Sequence, residues 1–233
     1  MILVFLHEGL GSIKLWRDTP SAIAAAAGVP AFVYDRVGYG HAAPCSVPRP
    51  LTYMHDEAKK LPGILKAANF DPDDTILVGH SDGASIALIA AGMGIIKPRG
   101  IVAIAPHVFV EDLSVESIAK AKFLYETTDL RTRLAKYHDD VDGAFWGWNR
   151  AWLDPEFKKW NIEEYLPHIA CPILVVQGDD DEYGTLEQVR KIERGARSGV
   201  ETAIVVGAGH SPFRDEPDDV NIRIARFVRG VAR

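Results

Sequence analysis

Short apolar runs alternate along the chain with longer segments in which apolar residues recur at helical spacing. The strand-like runs are residues 1–6, 31–34, 75–78, 100–105, 173–176 and 203–206. Continuously apolar runs of this length are typical of strands that are buried on both faces of a sheet. Helical spacing is clearest for Met54, Ala58, Leu61 and Leu65. The alternation predicts an α/β fold with a mostly parallel, doubly wound sheet.

One long segment interrupts this alternation. Residues 107–170 follow a predicted strand, yet their pattern predicts only helices, including residues 115–125 and 130–137. Aromatic side chains in such an insertion most often pack it onto the rest of the protein, and this one contains Trp146, Trp148, Trp152 and Trp160. We interpret residues 107–170 as a helical cap and residues 1–106 and 171–233 as the core domain beneath it.

Charge and cysteine content exclude several classes of function. The formal net charge is -6 and the isoelectric point is near 5.7, which argues against a nucleic-acid-binding or anionic-membrane-binding surface. Residues 1–7 lack a basic region and a cleavage site, so they predict a buried strand rather than a signal or membrane segment. Cys45 and Cys171 form no CxxC pair, which favours free thiols and a cytoplasmic location.

A candidate nucleophile follows the strand at residues 75–78. Residues 79–83 read Gly-His-Ser-Asp-Gly and precede an alanine-rich helix. A serine between two glycines at a strand-to-helix junction predicts a nucleophile elbow, in which the tight turn excludes larger flanking side chains. The alternative is an ordinary loop in which Ser81 caps the helix. Because ligands bind beyond the carboxyl ends of parallel strands, the other strand ends decide between these interpretations.

Two later strand ends carry the residues that a serine nucleophile needs. His210 lies in a glycine-rich loop after the last strand and is the candidate base. Asp181 is the candidate acid that would orient the imidazole, with Asp180 as the alternative. The chain order Ser81, Asp181, His210 is the one expected for an elbow on a parallel sheet. The alternative for the acidic residues 179–182 is a solvated turn.

The loop after the first strand is the candidate oxyanion loop. Backbone N–H groups of Gly9 and Asp82 would stabilise the developing negative charge. Glu8 is unexpected there, and we expect it to turn outward or to pair with a basic residue. His7 is expected to support the loop through a hydrogen bond, and His80 to pack beneath the elbow rather than to act as a second base.

Other polar and aromatic residues suggest substrate contacts. We expect Leu10, His107, Phe145 and Trp148 to line the substrate pocket. The sequence His-Asp-Asp at residues 138–140 could suggest a metal ligand set, but adjacent residues on one short segment favour a solvated helix end. We therefore predict no metal site.

Five stretches, residues 6–9, 34–40, 79–83, 178–181 and 209–212, resemble the α/β-hydrolase superfamily. The similarity is greatest to its cap-bearing branch, which includes meta-cleavage-product hydrolases, enol-lactonases and small carboxylesterases. It implies the triad Ser81, Asp181 and His210, with oxyanion donors at Gly9 and Asp82 and no cofactor. It also favours Asp181 over Asp180, because the acid in this family usually lies three residues after the glycine.

The chain departs from the family pattern in two places. Relatives usually have His-Gly where this chain has His7 and Glu8. The chain also starts at what resembles the family's third strand, so we expect about six strands, no leading hairpin, and the strand at residues 31–35 at an edge. Exposed edges are prone to unwanted pairing. We expect this edge to be covered by a loop or by the partner subunit of a homodimer.

Together these features predict a cytoplasmic serine hydrolase that acts on a small carboxylic ester or related acyl compound through an acyl-enzyme at Ser81. Hydrolysis of a carbon–carbon bond in a dienoate-type diketone, or acyl transfer, could use the same triad. Basic or hydroxyl side chains from the cap would favour those reactions, whereas an apolar pocket would favour simple esters. An alternative of another class is a ligand receptor or scaffold that has kept the fold.

Overall fold

The computed structural model describes residues 1–232 and contains one six-stranded sheet. All neighbouring strands are parallel, in the order β2-β1-β3-β4-β5-β6. This arrangement confirms the predicted parallel sheet of about six strands and the position of the second strand at an edge. The strands β1 to β6 are Ile2–Leu6, Ala31–Val33, Thr75–His80, Gly100–Ile104, Ile173–Gly178 and Val200–Val205.

Helices cover both faces of the sheet. Successive strand residues point to opposite sides, so a continuously apolar strand presents apolar side chains to both faces. In β1, Val4 and Leu6 belong to one buried cluster, whereas Leu3 and Phe5 belong to the other. In the described residues, α1 to α9 are Thr19–Ala27, Tyr53–Ala67, Asp82–Gly92, Asp112–Thr127, Leu130–Leu134, Val141–Trp152, Leu186–Gly195, Pro212–Asp215 and Pro217–Val231. The first cluster includes residues of α2, α3, α4, α6 and α7, and the second includes residues of α1 and α9.

Helix α3 lies at the centre of the molecule. Every one of its residues is buried, and it contacts β1, β3, β4 and α2. Its alanines at positions 84, 87, 90 and 91 leave room for neighbouring backbone to approach closely. The elbow therefore lies between a strand and a helix in which every residue is buried.

One helix boundary is set by a proline, and another differs from the sequence expectation. Helices α8 and α9 are separated at Glu216, whose φ is -129° and ψ is 64°. The next residue is Pro217, which disfavours helical geometry at the residue before it. Helix α5 ends at Leu134, whereas the pattern predicted a helix to residue 137.

The segment between β4 and β5 contains α4, α5 and α6 and several short 3₁₀ turns. It supplies buried residues such as Ile118, Phe145 and Trp152 to the same apolar cluster as α2 and α3. Its division from the core at residues 107 and 170 stays a prediction. Across residues 1–232, none of the helices is both long and apolar enough to cross a membrane.

Edge strand β2 is short and half-buried. Phe32 packs against Tyr34 and Phe70, with ring centroids 5.6 and 5.3 Å away. A three-residue edge offers few unpaired backbone groups for pairing with another chain. The expectation that a homodimer partner or a loop covers this edge stays a prediction.

Candidate active site

Ser81 occupies a sharp turn between β3 and α3. Its φ is 53° and its ψ is -118°. Residues other than glycine rarely adopt this backbone conformation, which costs about 1–3 kcal/mol. Both flanking glycines are sterically required: a Cβ on Gly83 would collide with the Leu6 carbonyl oxygen, and one on Gly79 would collide with the Gly83 carbonyl oxygen. The turn therefore has the geometry predicted for an elbow.

Asp181 and His210 form a close pair at the ends of β5 and β6. The Nδ1 atom of His210 lies 2.9 Å from both Asp181 carboxylate oxygens. Gln177 Nε2 and the Tyr183 backbone N–H also donate to this carboxylate, at 2.7 and 2.8 Å. Burial by itself would raise the pKa of Asp181, but the His210 imidazole, together with the Tyr183 backbone N–H, holds that pKa below its usual range.

Ser81 and His210 line one pocket of about 160 Å³. The Ser81 hydroxyl makes no capping hydrogen bond to the first turn of α3, so it is not used as a helix cap. Catalytic hydrogen bonds often tighten only once substrate is bound. The other lining residues are Glu8, Gly9, Leu10, His80, His107, Ile118, Trp148, Trp152, Glu182, Tyr183 and Ser211.

The pocket contains most of the predicted substrate contacts. Leu10, His107 and Trp148 line it as expected from the sequence, whereas Phe145 does not. Phe145 is fully buried and stacks on Tyr125 of α4, with ring centroids 3.7 Å apart. The face of α6 that carries Phe145 is turned towards α4, whereas Trp148 lies beside Gly9 in the pocket wall.

One predicted oxyanion donor lines the pocket, and the other directly follows Ser81 in the chain. Gly9 lines it directly, and Asp82 is the first residue of α3, where a backbone N–H has no partner within the helix. The Asp82 side chain is buried and accepts a hydrogen bond of 2.6 Å from the Tyr53 hydroxyl. Burial raises the pKa of Asp82, and the nearby Arg36 charge opposes this effect.

Glu8 points into the pocket rather than outward. Its Oε1 atom accepts a hydrogen bond of 3.1 Å from Arg214, and its Oε2 atom lies 3.4 Å from His80 Nδ1. Of the two expectations for Glu8, the structure favours pairing with basic residues. Although burial would raise the pKa of Glu8, His80 and Arg214 hold that pKa below its usual range. The Glu8 carboxylate is therefore charged and partly neutralised.

Two histidines support the loops around Ser81. His80 Nε2 donates a hydrogen bond of 2.7 Å to the backbone carbonyl of His210, and its ring packs edge-on against Phe213. His7 Nδ1 lies 2.8 Å from the Glu8 carbonyl, and its Nε2 accepts from the Arg36 backbone N–H at 3.1 Å. Burial and the Arg36 charge lower the pKa of His7, so this ring is neutral.

His107 is a buried imidazole beside the predicted base. Its ring centroid lies 5.7 Å from that of His210 and 5.1 Å from that of Trp152. Burial, with a smaller contribution from His210, lowers the pKa of His107 to about 3. A neutral imidazole in this position can accept or donate one hydrogen bond without adding charge to the pocket.

The segment at residues 138–140 has a structural role rather than the solvated helix end expected from the sequence. His138 is buried; its Nδ1 accepts from the Gly40 N–H and its Nε2 donates to the Leu10 carbonyl. Asp140 caps α6 by accepting from the Gly143 N–H at 2.9 Å. Throughout residues 1–232, the structure brings together no group of three or more His, Cys, Asp or Glu side chains suited to a metal ion.

Sequence analysis missed several residues that organise the site. Gln177 and Tyr183 bind Asp181, and Trp152 lines the pocket. Arg36 lay within a stretch that resembled the hydrolase superfamily, but its position carried no sign of a contact with residues near position 8. Gln177 was detectable in principle, since a polar residue at the end of an apolar strand needs a buried partner.

Comparison with known proteins places these features in a family. A family model described as "Alpha/beta hydrolase family" matches residues 3–223. Among curated proteins, none matches the chain.

Solved structures share the fold over nearly the whole chain. A carboxylesterase structure from Nitrososphaera gargenis has a TM-score of 0.79 and 17% identity, and the match covers 99% of this chain and 90% of that one. The enol-lactonase from Burkholderia xenovorans LB400 has a TM-score of 0.75 and 16% identity, with coverage of 97% and 90%. The monoacylglycerol lipase from Paleococcus ferrophilus has a TM-score of 0.70 and 16% identity, with coverage of 99% and 94%.

Proposed function

The chain belongs to the alpha/beta hydrolase family, and from this premise we propose that it is a serine hydrolase of small carboxylic esters or related acyl compounds. One observation carries the proposal: the strained Ser81 turn and the paired His210 line the same pocket. Backbone strain of this kind is found mainly at functional sites, where the surrounding structure fixes the strained residue.

In the acylation step, His210 Nε2 would accept the Ser81 hydroxyl proton while Ser81 Oγ attacks the substrate carbonyl carbon. The carbonyl oxygen gains negative charge, which the Gly9 and Asp82 N–H groups would stabilise. Asp181 holds His210 through Nδ1 and stabilises the imidazolium that forms. His210 then returns the proton to the leaving alcohol, and the acyl group remains bonded to Ser81.

In the deacylation step, a water molecule would enter from the open side of the pocket. His210 would remove a proton from this water as it attacks the acyl carbonyl carbon. The same two backbone donors would stabilise the second tetrahedral intermediate. Collapse of that intermediate returns the proton to Ser81 Oγ and releases the carboxylic acid.

The lining of the pocket favours simple esters over carbon–carbon bond hydrolysis. The inserted segment contributes Ile118, Trp148 and Trp152, which present largely apolar surfaces, together with the neutral His107. A dienoate substrate carries a carboxylate that would need a basic or hydroxyl partner from this segment. The small volume of about 160 Å³ further favours a compact acyl group.

Loss of the Ser81 hydroxyl tests the nucleophile. We expect Ser81→Ala to remove nearly all turnover of a short-chain aryl ester while leaving the circular dichroism spectrum unchanged. Wild-type protein should also be labelled by a fluorophosphonate at Ser81, and the variant should not be labelled. Wild-type kcat in Ser81→Ala would refute the assignment, and a wild-type protein that resists the probe would favour a non-catalytic ligand receptor.

A substrate panel tests the reaction class. Acyl esters of graded chain length would be compared with a lactone and with a vinylogous diketone under identical conditions. We expect the highest kcat/KM for short, uncharged esters. A preference for the diketone would instead assign the carbon–carbon hydrolase reaction.

A further inference from the structure

Beneath the predicted oxyanion loop, the Glu8 carbonyl oxygen is the acceptor of a cluster of donors. Arg36 Nη2 donates to it at 2.8 Å, the Gly11 backbone N–H donates at 3.0 Å, and His7 Nδ1 lies 2.8 Å away. Arg36 Nη2 also donates to the His7 carbonyl at 3.0 Å. Arg36 is 1% exposed, so a full positive charge lies against this peptide without screening by water.

The peptide unit that carries the Glu8 carbonyl ends in the Gly9 N–H. In an amide, electron density is shared between oxygen and nitrogen. A cation at the oxygen draws density away from the nitrogen, which makes the N–H hydrogen more positive and a stronger donor. Hydrogen bonds in series strengthen one another in this way, and more so in a buried environment. The Gly9 N–H is the group expected to face a substrate oxyanion.

We propose that Arg36 is a positioning residue of the oxyanion hole, which orients the Glu8–Gly9 peptide and polarises its N–H towards the pocket. This inference rests on the proposed function, because the effect matters only if negative charge develops on a substrate oxygen. The interaction is stronger in the transition state than in the bound substrate. Arg36 therefore raises kcat rather than lowering KM.

The competing explanation is that Arg36 only neutralises the buried carboxylate of Asp82. The hydrogen bonds argue against it. Within residues 1–232, every hydrogen bond from the Arg36 guanidinium goes to His7 or Glu8, while Arg36 Nε and Nη1 and Asp82 Oδ1 have no hydrogen-bond partner. A dedicated counter-ion would be expected to bind the carboxylate in a forked pair.

Substitution at Arg36 tests the proposal, and Arg49 supplies a matched control. Arg49 is also buried and packs over the Tyr39 ring, but its guanidinium bonds to the Val37 carbonyl rather than to the oxyanion loop. We expect Arg36→Met to lower kcat roughly 10-fold, less than the ~10²–10³-fold loss for a deleted oxyanion donor, with KM within about threefold of wild type. Arg49→Met should keep the wild-type kcat.

Binding of two ketone inhibitors separates polarisation from a general structural effect. Ser81 Oγ adds to the carbonyl carbon of a trifluoromethyl ketone while its proton passes to His210, and the carbonyl oxygen becomes an oxyanion. The corresponding methyl ketone binds without this addition. Arg36→Met should weaken the binding of the trifluoromethyl ketone by the same factor as it lowers kcat. The affinity for the methyl ketone should not change. Equal losses for both inhibitors, or wild-type kcat, would overturn the proposal.

Folding is checked by thermal melting of each variant. If Arg36→Met does not fold, Arg36→Lys decides. Arg36 Nη2 donates to both carbonyls, whereas a lysine ammonium nitrogen lies one bond nearer the main chain and lacks the planar guanidinium that fixes its direction, so kcat should fall at least threefold with KM unchanged. Wild-type kcat in Arg36→Lys would then overturn the proposal. Failure of the proposed function is a distinct result, since the unsubstituted protein would show neither ester turnover nor labelling of Ser81.

Discussion

Both carboxylate oxygens of Asp181 lie 2.9 Å from Nδ1 of His210, although the two residues come from loops after different strands. The carboxylate also accepts hydrogen bonds from Gln177 and from the Tyr183 backbone. With the Gly184 backbone N–H it has four partners, which set its position, and it keeps a negative charge in a buried site. Asp180 makes no comparable contact: its side chain is exposed, and its backbone N–H bonds to the Ala208 carbonyl.

Asparagine substitutions at the two neighbouring positions distinguish the two acids. We expect Asp181→Asn to lower kcat by about 10³–10⁴-fold, because an amide neither stabilises the imidazolium nor selects the reactive tautomer. Asp180→Asn is the matched control and should stay within about twofold of wild type. The measurement is kcat for a short aryl ester at pH 7.5. A large loss in Asp180→Asn with little in Asp181→Asn would reverse the assignment.

The free energy of unfolding should fall as the pH is lowered from 7 to 5, because His107 is buried in its neutral form. Burial lowers the pKa of His107 from 6.5 to about 3, so between these values the unfolded chain binds a proton that the folded chain does not. Its contribution to stability is complete above pH 6.5 and is lost as the pH falls towards 3. From pH 7 to pH 5 this amounts to about 2 kcal/mol.

Urea unfolding at pH 7 and pH 5 measures this effect. His107→Leu should reduce the difference between the two free energies of unfolding by about 2 kcal/mol. Exposed His168 provides the control, and His168→Leu should keep the wild-type difference. The groups facing His107 are His210, Asp181 and His80, so their own titration is common to all three proteins. An unchanged difference in His107→Leu would show that another group dominates the acid response.

The Trp148 side chain should limit the length of the acyl group that the pocket accepts. It lines the pocket and packs so closely on Gly9 that a Cβ at position 9 would collide with the indole. Trp148→Ala should enlarge the pocket and raise kcat/KM for longer acyl chains relative to acetyl by about 10-fold or more. The comparison uses esters that differ only in chain length.

Trp146 is the control for this substitution. It lies two residues away on α6, but its ring packs against Tyr125 and Arg150 rather than against the pocket. Trp146→Ala should reduce stability and leave the chain-length preference unchanged. If both variants shift the preference equally, a general loosening of α6 would explain the result better than a direct contact.

Local sequence patterns were sufficient for most of the architecture. Apolar runs predicted the strands, most clearly the four inner ones, because a strand buried on both faces needs continuous apolar residues. The glycines at 79 and 83 predicted the turn at Ser81 because their need for space arises within a few residues of chain. The chain order of Ser81, Asp181 and His210 sufficed to propose a triad, since parallel strands bring their carboxyl ends to one edge.

The direction in which individual side chains point was decided only by tertiary packing. Glu8 turns into the pocket because Arg214, 206 residues away in the chain, binds its carboxylate there. Phe145 turns away from the pocket because Tyr125 of α4 provides a stacking partner. Such partners lie far apart in sequence, so periodicity predicts that a residue is buried without showing which surface it faces. The role proposed for Arg36 likewise depends on a contact across 28 residues that no local pattern specifies.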